Sequence, residues 1–136
     1  MALTLELAER FLAAAKAKAK QQGWAMSFAV VDNAGNPVAL ARMDGAGWLT
    51  AEVARSKAFT AATFRRPSAE MAELVQTRPH LANSIASLAV RPLLLAGGGL
   101  PLNVSGEMLG GVGASGGTEE QDVECARAGL AAIGGQ

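Results

Sequence analysis

Lys57, Arg42 and Thr60 are the side chains of this 136-residue chain whose types and positions suit chemistry on a small carboxylic acid. Lys57 falls between Val53 and Ala61 on the apolar line of a helical pattern. Desolvation there would favour a neutral, nucleophilic amine, whereas a place at the helix edge would let its ammonium snorkel to water. Arg42 closes a strand pattern, and a guanidinium clamps a carboxylate through two parallel hydrogen bonds. It could equally pair with Asp44 or Glu52 and lock its own loop. Thr60 belongs to a polar stripe, Glu52, Ser56, Thr60 and Thr63, at three- and four-residue spacing. Trp48 is placed to line a pocket or to plug one.

Two glycine runs, Gly97-Gly98-Gly99 and Ser115-Gly116-Gly117, flank the last strands and are expected to be neighbours. With Trp48, the residues Gly98, Gly99, Ser115 and Gly116 form the candidate ligand-binding set. Thr118 and Gln121 make a capping box that starts a helix, and free amides at such a start attract anions. Yet Glu119, Glu120 and Asp122 fill the first turn and already answer the helix dipole. The favoured reading is therefore a structural corner. Neither run fits a Walker loop or a dinucleotide fingerprint.

Metal and redox chemistry find little support. There is one cysteine, Cys125, and one histidine, His80, so neither a CxxC nor a histidine pair exists. Cys125 reads as a buried, inert thiol, and His80, beside Pro79, as a surface residue. The acidic group at positions 119–124 reads as a solvated helix start, and no metal site is expected.

Half the residues are hydrophobic, 18% are charged, and twelve basic residues balance twelve acidic ones. With a mean hydropathy of +0.21, this is a globular composition. Nothing in it resembles a basic nucleic-acid surface or a membrane span. The N-terminus lacks a signal-peptide profile. A single cytosolic domain over 1–136 is expected, and so little net charge on so apolar a chain leads us to expect a homo-oligomer.

The elements that must position these residues follow from periodicity. Thr4 opens a helix whose apolar face includes Leu7, Phe11 and Ala15, with Gly23 closing it. Residues 24–32 and 37–42 read as a hairpin. Thr50 is expected to cap a helix running to Phe64, and Pro67-Ser68 to start a short one ending near Gln76. Residues 77–91 read as an irregular loop with room for one helical turn, because Pro79 and Pro92 interrupt the pattern. Leu93–Ala96, 100–104 and 108–114 read as strands, and 118–133 as a helix with Val123, Ala126, Leu130 and Ile133 as its core stripe. The order predicts an α+β layered domain with a mainly antiparallel sheet.

Four segments in this order carry a resemblance: AVVDNAGNPVALARMDGA, AEVARSKAFTAATFRRPSAEMAEL, LLLAGGGLPLNVSGEMLGGVGASGGTEEQD and CARAGLAAI. Together they resemble the GlcG/HbpS-like family, which includes the C-terminal domain of PduO-type proteins. The resemblance implies a three-layer α/β/α, profilin-like domain around a five-stranded antiparallel sheet, assembled as homo-oligomers. It implies haem as a candidate cofactor for some members, and for others an association with hydroxy-acid, diol or aromatic catabolism. The haem histidine of PduO-type members is expected on the first helix. Here that helix offers Lys16, Lys18 and Lys20, so there is no evident axial histidine. Lys57 matches a basic position of the family's helix motif.

Three functions are compatible with these readings: a small-ligand-binding protein, with haem as one candidate; a cofactor-independent hydrolase, deaminase, hydratase or isomerase acting on a small carboxylic acid; and a purely structural assembly domain. In the enzyme, Arg42 would hold the carboxylate, Lys57 would supply a cation or base, and Thr60 or Ser115 would donate hydrogen bonds.

Overall fold

Thr4 opens the first helix by accepting the Leu7 amide on its hydroxyl at 3.1 Å, and Gly23 closes it in the left-handed region at φ 79°. Local signals of this kind set several of the elements in this computed structural model, which describes residues 2–136. The chain order is α1 (Leu5–Gln22), β1 (Ser27–Asp32), β2 (Pro37–Arg42), α2 (Trp48–Phe64), α3 (Ser68–Thr77), α4 (Pro79–Leu88), β3 (Gly99–Val104), β4 (Glu107–Ser115) and α5 (Glu119–Ala131).

The four strands form one antiparallel sheet in the order β2-β1-β4-β3. Alternation along the strands sorts side chains between two faces. Phe28 and Val30 of β1 and Val112 and Ala114 of β4 share a core with Phe11, Cys125, Ala126 and Leu130 from α1 and α5. On the other face Ala29 and Val31 pack with Ala54, Ala58 and Ala62 of α2. The sheet therefore lies between two helical layers.

The glycines of β4 explain how α2 lies so close. A side chain on Gly113 would strike the carbonyl oxygen of Ala54, and one on Gly111 that of Ala58. The GGVG strand is thus a slot for a helix lined with alanines, and only glycine leaves that space.

Four expectations need correction. The fifth strand is absent among the described residues: Leu93–Ala96 carries no strand pairing. Its backbone is held by side chains, the Leu94 amide donating to Thr60 Oγ1 at 2.9 Å and the Ala96 carbonyl accepting from Ser68 Oγ. The expected loop at 77–91 contains helix α4, because Pro79 occupies the first helical position, where its fixed φ suits a helix and its missing N–H costs nothing. Helix α2 begins at Trp48 with Gly47 as N-cap, while Thr50 donates to the Gly47 carbonyl from inside the first turn. Finally, Asp122 is buried and Val123 only half-buried, whereas Ala126, Leu130 and Ile133 lie in the core as expected and Glu119, Glu120 and Glu124 are exposed.

Candidate functional site

Lys57 is 5% exposed, near the middle of α2. Its Nζ donates to Asp122 Oδ2 at 3.0 Å and to the Ala114 carbonyl at 3.2 Å. Neither the snorkelling lysine nor an unpartnered amine describes it. The ion pair ties α2 to α5 past the end of β4, joining the two helical layers. Asp122 Oδ1 also accepts the Gly117 amide at 3.1 Å. Burial pushes the Asp122 carboxyl above its ordinary value, and Glu119 adds to the rise. The Lys57 hydrogen bond and charge, with the Gly117 amide, draw it back part of the way.

The two glycine runs meet at this pair. The Ala114 amide donates to the Gly98 carbonyl at 2.9 Å. Gly98 has φ +124°, and a Cβ there would lie 2.9 Å from Lys57 Nζ. One on Gly99 would collide with the Lys57 carbonyl, and one on Gly116 would lie 2.9 Å from the Ala25 carbonyl. Carboxylates of the chain itself occupy the turn amides: Glu119 Oε1 accepts from Gly97 N at 3.2 Å, and Asp122 accepts from Gly117. These two amides already have their anions, which agrees with the structural-corner reading. Ser68, whose position at a helix start gave no hint of this, fastens the run from the other side by accepting the Gly99 amide at 2.8 Å.

The remaining candidates do not converge on Lys57 through any hydrogen bond. Arg42 Nη1 donates to the Ala46 carbonyl at 2.7 Å, while Glu52 pairs with Arg55. The arginine thus locks its loop, though with neither partner expected. Thr60 is fully buried, donates to the Ser56 carbonyl at 2.8 Å and receives Leu94 N. Ser56 bonds back to Glu52 in the same manner, so this part of the polar stripe serves the helix itself. Trp48 is 74% exposed. Ser115 is buried at the end of β4, paired across the sheet with Ser27, whose hydroxyl meets that of Thr50 at 2.8 Å.

A second feature was not read from the sequence. Phe59, Thr63 and Phe64 of α2, Ile85 and Leu88 of α4, and Val90 and Leu93 beyond it line a cleft of about 380 Å³. Its walls are apolar apart from the Thr63 hydroxyl. Arg91, next to Val90, donates to Asn36 Oδ1 at 2.9 Å. The signal was there, in Phe59 and Thr63 at i, i+4 and Ile85 and Leu88 at i, i+3, but it needed α4 to be recognised as a helix.

His80 is exposed in the first turn of α4 and does not line the cleft. Cys125 is buried, its Sγ 3.7 Å from Met26 Sδ, and burial pushes its thiol up to about 11, with Glu124 and Asp122 adding to the rise. Among the described residues no group of three or more His, Cys, Asp or Glu side chains is arranged to hold a metal ion. Among the described residues no helix is long and apolar enough to cross a membrane.

A family model described as haem degrading protein HbpS-like matches residues 3–131. The protein GlcG of Escherichia coli (strain K12) is 35% identical over 114 residues, covering 83% of this chain and 81% of GlcG. A solved double mutant of Streptomyces reticuli HbpS superposes with a TM-score of 0.85 at 35% identity, over 96% of this chain and 86% of that one. The solved PduOC:Heme complex gives a TM-score of 0.88 at 29% identity, over 100% of this chain and 98% of that one.

Proposed function

Because the chain belongs to the HbpS-like family, we propose that it is a small-ligand-binding protein and that its ligand, with haem as the specific candidate, lies in the apolar cleft between α2 and α4. The observation that carries this reading is the make-up of the cleft: apolar walls with two phenylalanines, one hydroxyl, and an arginine next to the lining residue Val90. Such a site suits a flat apolar body bearing a carboxylate. Similarity to the PduOC:Heme complex supports the choice of haem.

The fit is partial. The walls suit the macrocycle, and Arg91 suits a propionate. Bound haem supplies an iron that takes axial ligands from His, Cys, Met or Tyr in most proteins, and none of these lines the cleft. Thr63 offers only a weak oxygen donor. The proposal is therefore a binding site that grips the ring rather than the iron. A cytosolic setting and a link to hydroxy-acid or aromatic catabolism belong to the same proposal and rest on composition and resemblance.

Titration with haemin tests it. A Soret change should develop, survive His80→Ala, and be lost in the double variant Leu88→Glu, Val90→Glu. Both of those positions are more than 80% exposed, so the fold should tolerate the change. Loss of the signal in His80→Ala, or its persistence in the double variant, would overturn the cleft assignment.

The enzyme alternative rests on Lys57, whose buried ammonium faces the space left by Gly98. Its Nζ is already committed to Asp122 and the Ala114 carbonyl, which favours the binding reading.

A further inference from the structure

Three lysines alternate along the C-terminal half of α1, and their surroundings differ. Lys18 reaches Glu124 of α5 at 3.4 Å. Lys16 and Lys20, four residues apart, stand one above the other on another face of the helix. Both are exposed, and neither forms an ion pair among the described residues. A groove of about 600 Å³ lies between this face of α1 and the end of β2. Lys16, Lys20 and Arg42 line it, and Asp44 is the single carboxylate among its lining residues.

The hydrogen bond from Arg42 Nη1 to the Ala46 carbonyl, 2.7 Å long, fixes the guanidinium without neutralising it. Glu52 is taken by Arg55. Asp44 forms no ion pair with any of the three cations. Three positive charges therefore meet one negative charge here, in a chain whose charges balance overall. Like charges gathered in one groove repel, and an anion seated among them reverses that cost. Between the cations the lining is Ala13, Ala17 and Ala41, so the floor is apolar and small side chains leave the groove open.

We propose that this groove binds a small organic polycarboxylate. One carboxylate takes the free donors of the Arg42 fork, whose planar geometry suits a two-oxygen group. A second lies between Lys16 and Lys20, whose positions are about 6 Å apart along the helix axis. The alanine floor covers the short carbon frame that joins them. Inorganic phosphate would satisfy the cations but leave that floor bare. By residue type, Arg42 was expected to clamp a carboxylate beside Lys57; the structure gives it Lys16 and Lys20 as neighbours instead. Helix α1 lies on the other side of the sheet from α2 and the apolar cleft, and the proposal does not depend on what that cleft holds.

Titration of the full chain with propane-1,2,3-tricarboxylate at low ionic strength, followed by amide chemical shifts, tests this. In the wild type the shifts should saturate and cluster at positions 13–20 and 41–44. Arg42→Gln, and the double variant Lys16→Gln, Lys20→Gln, should each weaken binding about tenfold or more. These three side chains are exposed, so the fold should tolerate their loss. Lys18→Gln removes a charge from the same helix and should change binding far less, since that ammonium is held by Glu124. Inorganic phosphate at matched ionic strength should bind more weakly. No saturable shifts in the wild type, shifts centred elsewhere, or an equal loss in Lys18→Gln would overturn the site. Phosphate binding as tight as that of the tricarboxylate would overturn the ligand class. The shift map is read on the wild type, so it holds whether or not each variant folds.

Discussion

Lys57 and Asp122 are 65 residues apart in sequence, yet they share a hydrogen-bonded ion pair at which both helical layers and both glycine turns meet. Charges taken out of water cost much to desolvate, and removing one partner leaves the other uncompensated. Lys57→Met should therefore lower stability by about 3 kcal/mol, read as a fall in the urea midpoint with little change in slope. The Asp122 carboxyl titrates above its ordinary value of 3.8. Over the interval from 3.8 up to the raised value, the folded chain holds a proton that the unfolded chain has lost, so this group's contribution to stability is fully present below 3.8 and declines as pH rises. Asp122→Asn removes that dependence. The melting temperature of the wild type minus that of the variant should fall with rising pH across this interval; a rising difference would refute the assignment. Lys57 could be singled out from the sequence because a cation stood on an apolar line. Asp122 could not, since a carboxylate in a capped first turn is ordinarily solvated and nothing local announces a partner so far along the chain.

At the scale of elements, the tightest constraint is the docking of α2 on β4. Helix and sheet approach closely because alanines on one face glycines on the other. Gly113→Val would place methyl groups where the Ala54 carbonyl stands. It should cost about 3 kcal/mol or more, since neither backbone can yield without moving its whole element. Gly47 is the matched comparison: a Cβ there would meet nothing within 4 Å, and its φ is not positive. Gly47→Ala should stay within about 1 kcal/mol. Thermal denaturation of the two variants distinguishes a packing slot from a general preference for glycine. The same contrast between local and tertiary control explains what was legible. Helix α1, the β1–β2 hairpin, and the Thr118–Gln121 capping box are set by residues within a few positions of one another. Leu93–Ala96 has a strand's composition, but Thr60 and Ser68 take its backbone hydrogen bonds. The apolar cleft was hidden for a related reason: one wall is α4, which the Pro79 and Pro92 signals concealed.

For the whole molecule, the question is how many sheet edges are open, because that number determines whether association stops. The C-terminal tail is bridged to the end of β3 at Val104, while β2 carries no such bridge among the described residues. Truncation after Ile133 removes Gly134, Gly135 and Gln136, and with them the bridge to Val104 and the bond to Asn103. Ile133 itself is retained because it is buried in the core shared by α1 and α5. The shortened chain would expose two edges on opposite sides of one sheet, and a contact available on both sides can propagate without closing. Light scattering at about 100 μM should show species that keep growing with time, where the full chain stays at a fixed size. Adding Leu40→Lys, which sets a charge on the exposed β2 edge, should stop this growth at small species, because only the β3 edge would remain. A truncated chain with the same size distribution as the full one would mean that Pro101 and the twist of β3 guard that edge without the tail.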